Sequence, residues 1–334
     1  MIAIDSQRSD DPSIRVLRHL DWETFRSQMR HDVKIGLVTQ PRFLHSKYFY
    51  DEVGSKLFDD ITSLPEYYLT RAETGIIATH ATEIIRQCEP SELLELGSGT
   101  ATKTRLLLDA LAERPGPRRF VAFDISRETL EESVKILQAD YSTLTIAGLV
   151  GDFTQDLSAL PRADIPRTIA FLGSTIGNLN HTQRVEFFDD VSAILAPNDS
   201  FLLGIDLVKD PAVLEAAYND SAGITAKFNQ NILHVLNREL DADFPVDHFQ
   251  HVAKWNSERS HIESWLIPDK DVVVTIRALD EQYRFEKGEG IHTEISAKFT
   301  EALLAHELAP AHLAIANWFT DQDERYALAL VKPA

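Results

Sequence analysis

Short apolar runs alternate with amphipathic stretches along the middle of the chain, and this alternation is the clearest pattern in the sequence. The amphipathic stretches carry apolar residues at helical spacing and cover residues 104–114, 128–141 and 182–196. Strands that alternate with helices of this length are typical of βαβ units, in which helices cover a parallel sheet. The five apolar runs that predict strands are 93–99, 119–125, 145–153, 167–175 and 200–208.

The chain ends with two further apolar runs. They cover residues 312–320 and 325–334, and the turn-forming sequence Asp-Gln-Asp-Glu separates them. Two strands joined so closely predict an antiparallel hairpin. The sequence therefore predicts an α/β fold with a doubly wound, Rossmann-like sheet of seven strands, whose last hairpin is antiparallel.

The remaining segments break this rhythm. Residues 1–15 carry no periodic apolar signal and are predicted to form a loose N-terminal tail. Residues 16–69 and 209–298 hold long helical stretches and are assigned to a second, mainly helical domain that binds the substrate. Residues 70–208 and 299–334 form the sheet domain, which is expected to bind the cofactor.

The first helix of the sheet domain is predicted over residues 71–87. Thr70 precedes its apolar pattern and Glu73 follows three residues later, which is the spacing of a capping box. In this interpretation both side chains bond to free N–H groups at the start of the helix.

Composition and charge narrow the class of protein. Among 334 residues, 52 acidic side chains outnumber 33 basic ones, so the formal net charge is −19. A surface so negative repels phosphate backbones and anionic lipids, which makes nucleic acid and membranes poor partners. The single cysteine, Cys88, excludes an intramolecular disulfide and a multi-cysteine metal site. Without a signal peptide or a long apolar run, we expect a cytoplasmic, monomeric enzyme with a small-molecule substrate and no metal.

Glycine and acidic residues follow the first three predicted strands. Gly97 and Gly99 follow the first, where glycine lets the backbone approach a ligand, but no third glycine completes a pyrophosphate fingerprint. Asp124 ends the second strand, where a carboxylate can accept bonds from both ribose hydroxyls. Asp152 and Phe153 end the third and can hold an adenine ring. Together they predict S-adenosylmethionine, a nucleoside without pyrophosphate; three independent turn signals are the alternative interpretation.

Several longer stretches resemble one enzyme family. They are YFYDEVGSKLFDDITSLPEYYLTRAE, ELGSGTATKTRLLLDAL, GSTIGNL, YNDSAGITAKFNQNILHVLNRELDADF and HTEISAKF. These stretches are similar to the histidine Nα-methyltransferases of ergothioneine biosynthesis, over about residues 45–300. The family transfers three methyl groups from S-adenosylmethionine to the α-amino group of L-histidine to give hercynine. The resemblance implies the same reaction for this chain.

The resemblance also implies roles for individual residues. The family's cofactor contacts fall on Gly97, Lys103, Asp124, Asp152 and Phe153. Its contacts with the amine and carboxylate of the amino acid fall on Tyr67, Asn178 and Tyr218, of which Tyr67 and Asn178 are the expected catalytic residues. Its imidazole contacts fall on Glu294 and Ser296, which share a strand face because they are two residues apart. A carboxylate and a hydroxyl complement the two ring nitrogens of histidine.

One position departs from the family pattern. Where the family has methionine on the pocket wall, in a Trp-Ile-Glu-Met stretch, this chain has Ser264 in His-Ile-Glu-Ser-Trp. Serine is smaller and polar, so the sequence leaves the size of the pocket beside the imidazole undetermined. Ser264 is a further predicted substrate contact. The alternative substrate is therefore another aromatic amino acid such as tryptophan. A non-catalytic cofactor-binding protein is the remote alternative, which the intact glycine turn disfavours.

Three histidines are further candidates for site residues. His248 and His251 have the spacing of metal ligands, but their segment lacks a third ligand at a suitable distance. His292 is predicted to share a strand face with Glu294, although a surface position is the simpler interpretation.

Overall fold

The structure is a computed structural model that describes residues 13–17, 22–160 and 164–334. The chain divides into two compact units. We call the unit with residues 13–17, 69–208 and 298–334 the sheet unit, and the unit with residues 22–68 and 209–297 the mixed unit. Their assignment to cofactor and substrate binding stays a prediction. Most of the predicted tail, residues 1–12, lies outside the described residues.

The sheet unit contains one large sheet, with eight strands among the described residues. Numbered in chain order through both units, they are β1 Ile14–Val16, β2 Glu92–Leu96, β3 Arg119–Asp124, β4 Thr145–Val150, β5 Arg167–Phe171, β6 Ser200–Asp206, β12 Leu313–Thr320 and β13 Tyr326–Pro333. The strand order is β1-β4-β3-β2-β5-β6-β13-β12. Strands β1 to β6 run parallel, whereas β13 is antiparallel to both of its neighbours. This topology confirms the doubly wound α/β fold and its terminal antiparallel hairpin.

Strand β1 was not predicted from the sequence. Its Ile14 pairs with Gly148 of β4, and the N–H of Leu17 donates to the carbonyl of Val150 at 2.9 Å. The described sheet therefore has eight strands rather than seven, and residues 14 and 15 belong to the sheet rather than to a loose tail. Three residues are too few to show a periodic pattern, so only the pairing with β4 reveals this strand.

The α-helices of the sheet unit flank these strands in the sequence. They are α3 Leu69–Cys88, α4 Arg105–Ala112, α5 Arg127–Asp140, α6 His181–Ile194 and α9 Glu301–Leu308. Ser126 caps α5 and Asn180 caps α6, because each side chain accepts a bond from the backbone N–H three residues later. No helix in the described ranges of the chain is long and apolar enough to cross a membrane.

The predicted capping box at the start of α3 is wrong. The helix begins at Leu69, so Thr70 lies inside it, and the carbonyl of Thr70 accepts a bond from the Thr74 hydroxyl at 2.7 Å. The fully buried carboxylate of Glu73 bonds to Lys103, Gly173 and Tyr326 instead of the helix start. The sequence pattern of a capping box is met, but the packing of α3 uses Glu73 differently.

The Glu73 carboxylate joins three other segments of the sheet unit. Its Oε1 accepts bonds from the N–H of Gly173 and the hydroxyl of Tyr326, each at 2.7 Å, and Oε2 pairs with Lys103. Gly204 of β6 leaves room for this arrangement, since a Cβ there would lie 2.2 Å from Glu73 Oε1. A buried carboxylate is tolerated only when it is paired and hydrogen-bonded. The absence of a side chain at position 204 is therefore a requirement of the fold.

The mixed unit combines helices with two small antiparallel sheets. Its α-helices are α1 Trp22–Val38, α2 Glu52–Thr62, α7 Pro211–Tyr218 and α8 Ile224–Glu239. Its strands are β7 Phe249–Asn256, β8 His261–Pro268, β9 Val272–Ile276, β10 Glu281–Phe285 and β11 Ile291–Ala297. Strands β11, β8 and β7 form one sheet in that order, and β9 and β10 form the other. The expectation of a mainly helical domain is corrected, because residues 249–297 are largely strands whose alternating burial suits a half-exposed sheet.

The first prediction tests the space at Gly204. Gly204→Ala should lower the free energy of unfolding by about 1–3 kcal/mol, because the new methyl group displaces Glu73 or Tyr326. Gly75→Ala on α3 is the matched control: a Cβ there meets no atom within 4 Å. The control should raise the free energy of unfolding by about 0.5–1 kcal/mol through helix propensity. Urea unfolding measures both, and equal effects would contradict the role given to Glu73.

Candidate cofactor and substrate sites

The glycine turn after β2 is held against β3. The N–H groups of Gly97 and Ser98 donate to the carbonyl of Phe123 at 2.8 and 3.1 Å. Gly97 and Gly99 have φ of +69° and +50°, in the left-handed region that favours glycine. A Cβ on either glycine would meet no atom within 4 Å, so the space beside the turn is open. The backbone here fits a ligand that approaches closely, as the nucleoside and amino-acid parts of S-adenosylmethionine require.

Asp124 ties the end of β3 to this turn. Its Oδ2 accepts the N–H of Gly99 at 2.8 Å, and its Oδ1 accepts the N–H of Ser126 at 2.9 Å. Burial raises the pKa of Asp124, while hydrogen bonds from the backbone N–H groups of Ser126, Gly99 and Ile125 act in the opposite direction. A carboxylate has about four acceptor positions, so Asp124 can still receive a ribose hydroxyl.

Asp152 and Phe153 follow the end of β4. Asp152 Oδ1 accepts the backbone N–H of Thr154 at 2.8 Å and its hydroxyl at 2.6 Å, which closes a tight turn. The half-buried ring of Phe153 packs edge-to-face on Phe171, with centroids 5.0 Å apart. The turn and the ring contact hold both residues in place at the carboxyl edge of the sheet, where open α/β sheets bind ligands.

Lys103 and Asn178 belong to segments that Glu73 brings together. Lys103 pairs with Glu73, and its Nζ lies 3.4 Å from the position of a Cβ on Gly173. Gly173 lies just beyond the end of β5 and has φ of +79°. Asn178 ends the 3₁₀ turn Thr175–Asn178 that comes next. The segments after β2 and β5 therefore meet in the sheet unit, although the role of each side chain stays a prediction.

Three predicted substrate residues of the mixed unit are close together. The hydroxyl of Tyr218, the last residue of α7, lies 2.7 Å from Ser296 Oγ of β11. The rings of Tyr67 and Tyr218 are in edge-to-face contact, with centroids 6.3 Å apart. Two aromatic rings and a serine hydroxyl are therefore held in one cluster by direct contacts.

The strand register adds the remaining substrate residues. In the pairing of β8 with β11, Glu294 lies opposite Ser264, and Ser296 lies opposite Ile262. Residues paired across strands, like residues two apart on one strand, share a face of the sheet. Glu294, Ser264 and Ser296 consequently lie on one face, with Ser264 directly beside Glu294.

His292 does not share that face. The register shifts between His292 and Glu294, and His292 pairs instead with Trp265, its ring 4.8 Å from the indole. A β-bulge interrupts the alternation of side chains, so counting by twos along the sequence fails at this point. His292 is therefore removed from the face that carries Glu294.

Tyr50 is a member of the cluster that the sequence did not single out. Burial raises the pKa of its phenol, and the nearby Glu294 and Tyr218 raise it further, so the group stays protonated and can donate. Its ring packs edge-to-face on Phe58 and Phe228, with centroids 5.7 and 5.5 Å away. In the sequence Tyr50 is one of many aromatic residues in this region, and no spacing distinguishes it.

A second carboxyl group, Glu95, is buried at the end of β2 next to the glycine turn. It accepts the hydroxyl of Thr104 at 2.6 Å. Burial raises the pKa of Glu95 to about 8, Glu73 and Asp124 act in the same direction, and Thr104 and Lys103 oppose them. The group therefore favours its neutral form in the folded protein at neutral pH.

Comparison with known proteins identifies the family. Residues 29–333 match the family described as histidine-specific methyltransferase, SAM-dependent. The chain belongs to the histidine-specific, S-adenosylmethionine-dependent methyltransferases. It is 46% identical to the Histidine N-alpha-methyltransferase of Mycobacterium tuberculosis (strain CDC 1551 / Oshkosh), over 95% of this chain and 98% of that protein. It is 44% identical to the enzyme of the same name from Mycolicibacterium smegmatis, over 95% and 99% of the two chains.

A more distant relative has another substrate in its name. The L-tryptophan methyltransferase of Psilocybe serbica is 28% identical, over 90% of this chain and 91% of that protein. The family match confirms that this histidine-specific methyltransferase is an enzyme with S-adenosylmethionine as methyl donor.

The second prediction concerns Asp124 of this methyltransferase. S-adenosylmethionine or its demethylated product should raise the Tm of the wild type, because a ligand that binds only the folded state stabilises it. Asp124→Ala should remove most of that shift, whereas Asp190→Ala, an exposed change on α6, should keep it. Differential scanning fluorimetry with each ligand and with NAD measures the shifts. An equal shift from NAD, or an undiminished shift in Asp124→Ala, would contradict the assignment.

The third prediction follows from the raised pKa of Glu95. Between its ordinary value of 4.5 and its folded value of about 8, the unfolded chain has lost a proton that the folded protein keeps. The contribution of Glu95 to the free energy of unfolding should therefore fall as the pH rises from 5 to 8, by up to about 1.4 kcal/mol per pH unit, whereas buried histidines such as His251, whose pKa is lowered, act in the opposite direction. Glu95→Gln removes this dependence, so the free energy of unfolding of the variant should rise relative to that of the wild type as the pH approaches 8.

Urea unfolding at several pH values measures the effect. Glu113→Gln, an exposed change just after α4, is the matched control and should follow the wild-type curve. Parallel curves for wild type and Glu95→Gln would show that Glu95 is not held neutral.

Proposed function

We propose that this chain transfers three methyl groups in succession from S-adenosylmethionine to the α-amino group of L-histidine, giving hercynine for ergothioneine biosynthesis. Two relatives named for histidine methylation, which align over nearly the full length of both chains, support this substrate. The structural observation that carries the proposal is the sheet face that presents Glu294 and Ser296. The Tyr218 hydroxyl is hydrogen-bonded to Ser296 on this face.

The imidazole ring is the part of histidine that this face fits. The Glu294 carboxylate accepts the hydrogen of one ring nitrogen, and the Ser296 hydroxyl bonds to the other, because a hydroxyl both donates and accepts. A hydrogen bond to a charged group contributes about 1.5–3 kcal/mol. An apolar ring would offer neither Glu294 nor Ser296 a hydrogen bond, so these two residues select imidazole over it.

The proposed cofactor residues each contact a different part of S-adenosylmethionine. The cation of Lys103 suits the carboxylate of its methionine part, and the open space beside Gly97 lets the donor approach the backbone closely. Asp124 suits the ribose hydroxyls, and Asp152 and Phe153 suit the adenine. When bound, S-adenosylmethionine supplies an electrophilic methyl group on a sulfonium. The side chains named here bind and orient both reactants, and positioning supplies most of the acceleration.

The substrate amine must be neutral at the moment of transfer, although the amine of a free amino acid is largely protonated at neutral pH. We assign Asn178 to orient this amine through its amide, and Tyr218 to hold the carboxylate. Tyr67 accepts a hydrogen bond from the neutral amine through its hydroxyl, and water takes up the proton that the amine loses. The ring face of Tyr67 also attracts the cation that grows with each methyl group.

Tryptophan is the second candidate substrate. Ser264 lies beside Glu294 and occupies less volume than methionine would, and a relative named as a tryptophan methyltransferase aligns over 90% of this chain. Glu294 and Ser296 disfavour this alternative, because an indole has one nitrogen to bond. A cytoplasmic location, a monomeric state and the absence of a metal stay predictions from the sequence.

The fourth prediction separates the two substrates. The wild type should prefer L-histidine to L-tryptophan by several orders of magnitude in kcat/KM. Glu294→Ala should reduce kcat/KM for histidine by about 2–4 kcal/mol, expressed as an activation free energy, because a charge-assisted contact and its desolvated partner are lost. Tryptophan should lose less, or gain, because a buried carboxylate has been removed.

Glu263→Ala is the matched control, since Glu263 precedes Ser264 on β8 and therefore lies on the opposite face. It should leave the ratio of the two specificity constants unchanged. A wild type that favours tryptophan, or a Glu294→Ala variant with full histidine preference, would refute the imidazole contact but not the methyltransferase activity.

A further inference from the structure

The end of helix α7 is attached to the outer edge of strand β7 by polar side chains. Asn219 Nδ2 donates to the carbonyl of Ala253 at 2.8 Å, and the N–H of Ala253 donates back to Asn219 Oδ1 at 3.1 Å. Glu215 Oε1 accepts the N–H of Trp255 at 3.0 Å. Because β7 is the last strand of its sheet, these side chains satisfy backbone groups that another strand would otherwise pair with.

His251 of β7 reaches Tyr218 itself. Its Nε2 lies 2.7 Å from the carbonyl oxygen of Tyr218, and its Nδ1 lies 2.7 Å from Asn229 Nδ2. A carbonyl only accepts, so Nε2 carries the hydrogen and the neutral ring accepts from Asn229 at Nδ1. The carbonyl of Trp265, 3.2 Å from Asn229 Nδ2, fixes the orientation of that amide. Burial lowers the pKa of His251, against the Tyr218 carbonyl and Asp220, which favours the neutral ring.

We propose that His251 is a positioning residue for substrate binding, which holds the Tyr218 carbonyl and thereby keeps the Tyr218 hydroxyl at Ser296. Tyr218 is the last residue of α7, where helix carbonyls lack partners within the helix and the backbone frays unless something else bonds to it. The inference rests on the proposed function, because Tyr218 and Ser296 are substrate contacts only there.

Two substitutions of similar size separate the two bonds of the ring. In His251→Gln the side-chain NH₂ takes the place of Nε2 and still donates to the Tyr218 carbonyl. In His251→Asn the side-chain oxygen takes the place of Nδ1 and accepts from Asn229, but the side chain does not reach Tyr218. We expect His251→Asn to raise the KM for histidine about five- to tenfold, the effect of one buried hydrogen bond, and His251→Gln to change it less than about twofold.

Steady-state kinetics and calorimetry of the full-length protein measure the effect. The kcat at saturating histidine and the Kd for S-adenosylhomocysteine should stay within about twofold in both variants, since neither changes the residues proposed to bind the donor. His248→Asn, three residues earlier and bonded to the exposed Asp269, is the matched control and should match the wild type. Equal increases of KM in the Asn and Gln variants would overturn the proposal. Asn229→Ser, which weakens the other bond of the ring, should raise KM by a smaller factor and provides the test if His251→Asn does not fold.

A double variant distinguishes this inference from the proposed function. Tyr218→Phe should raise the KM for histidine, and adding His251→Asn to it should change KM by less than about twofold, because the residue through which His251 acts is already lost. An unchanged KM in Tyr218→Phe would refute the proposed substrate site. If Tyr218→Phe raises the KM and the double variant raises it further, only the positioning role of His251 would be refuted.

Discussion

The sheet unit depends on one buried carboxylate, that of Glu73. It joins helix α3 to Lys103 after the glycine turn, to Gly173 after β5 and to Tyr326 at the start of β13. Removing one partner of a buried ion pair costs about 3–5 kcal/mol, because the other charge is left without compensation. The Glu73 carboxylate therefore holds the segment that carries Lys103 next to the segment that leads to Asn178. Gly204 is the position that makes room for it.

A second buried ion pair acts on the same region. Lys298 and Asp206 are both fully buried and lie 2.8 Å apart, where the chain returns to the large sheet. The N–H of Asp206 donates to Ser174 Oγ at 3.0 Å, and Ser174 has a φ of +56°. The turn before Asn178 is thus bonded from Glu73 through Gly173 and from Asp206 through Ser174. Rigid support of this kind suits a reaction in which positioning supplies most of the acceleration.

In the mixed unit the constraint is strand register. Pairing of β8 with β11 places Glu294 beside Ser264, and the bulge after His292 decides which side chains share their face. A shift by one residue would move Glu294 and Ser296 to the other side of the sheet. The hydrogen bonds from β7 to the end of α7 then bring Tyr218 to Ser296. Substrate specificity in the proposed function follows from this register more than from any single side chain.

The sequence alone determined the parallel core of the fold and the positions of Gly97, Asp124 and Asp152 at strand ends, because strand periodicity and turn composition are local properties. The resemblance to a family pointed to the imidazole contacts. The tertiary structure decided what local pattern cannot. Strand β1 is three residues that need a neighbour, and strands β7 to β10 of the mixed unit were not predicted, because residues 209–298 were assigned to helices apart from the strand that carries Glu294 and Ser296.

Glu73 shows most clearly the difference between what sequence spacing predicts and what the tertiary structure decides. Its spacing from Thr70 fits a capping box, yet its partners Lys103 and Tyr326 lie 30 and 253 residues further along the chain. His251 has the spacing of a metal ligand, yet it bonds to Asn229 and Tyr218, 22 and 33 residues away. Which polar group a buried side chain meets depends on packing between distant segments, because burial removes water as the alternative partner and leaves only what the fold brings near.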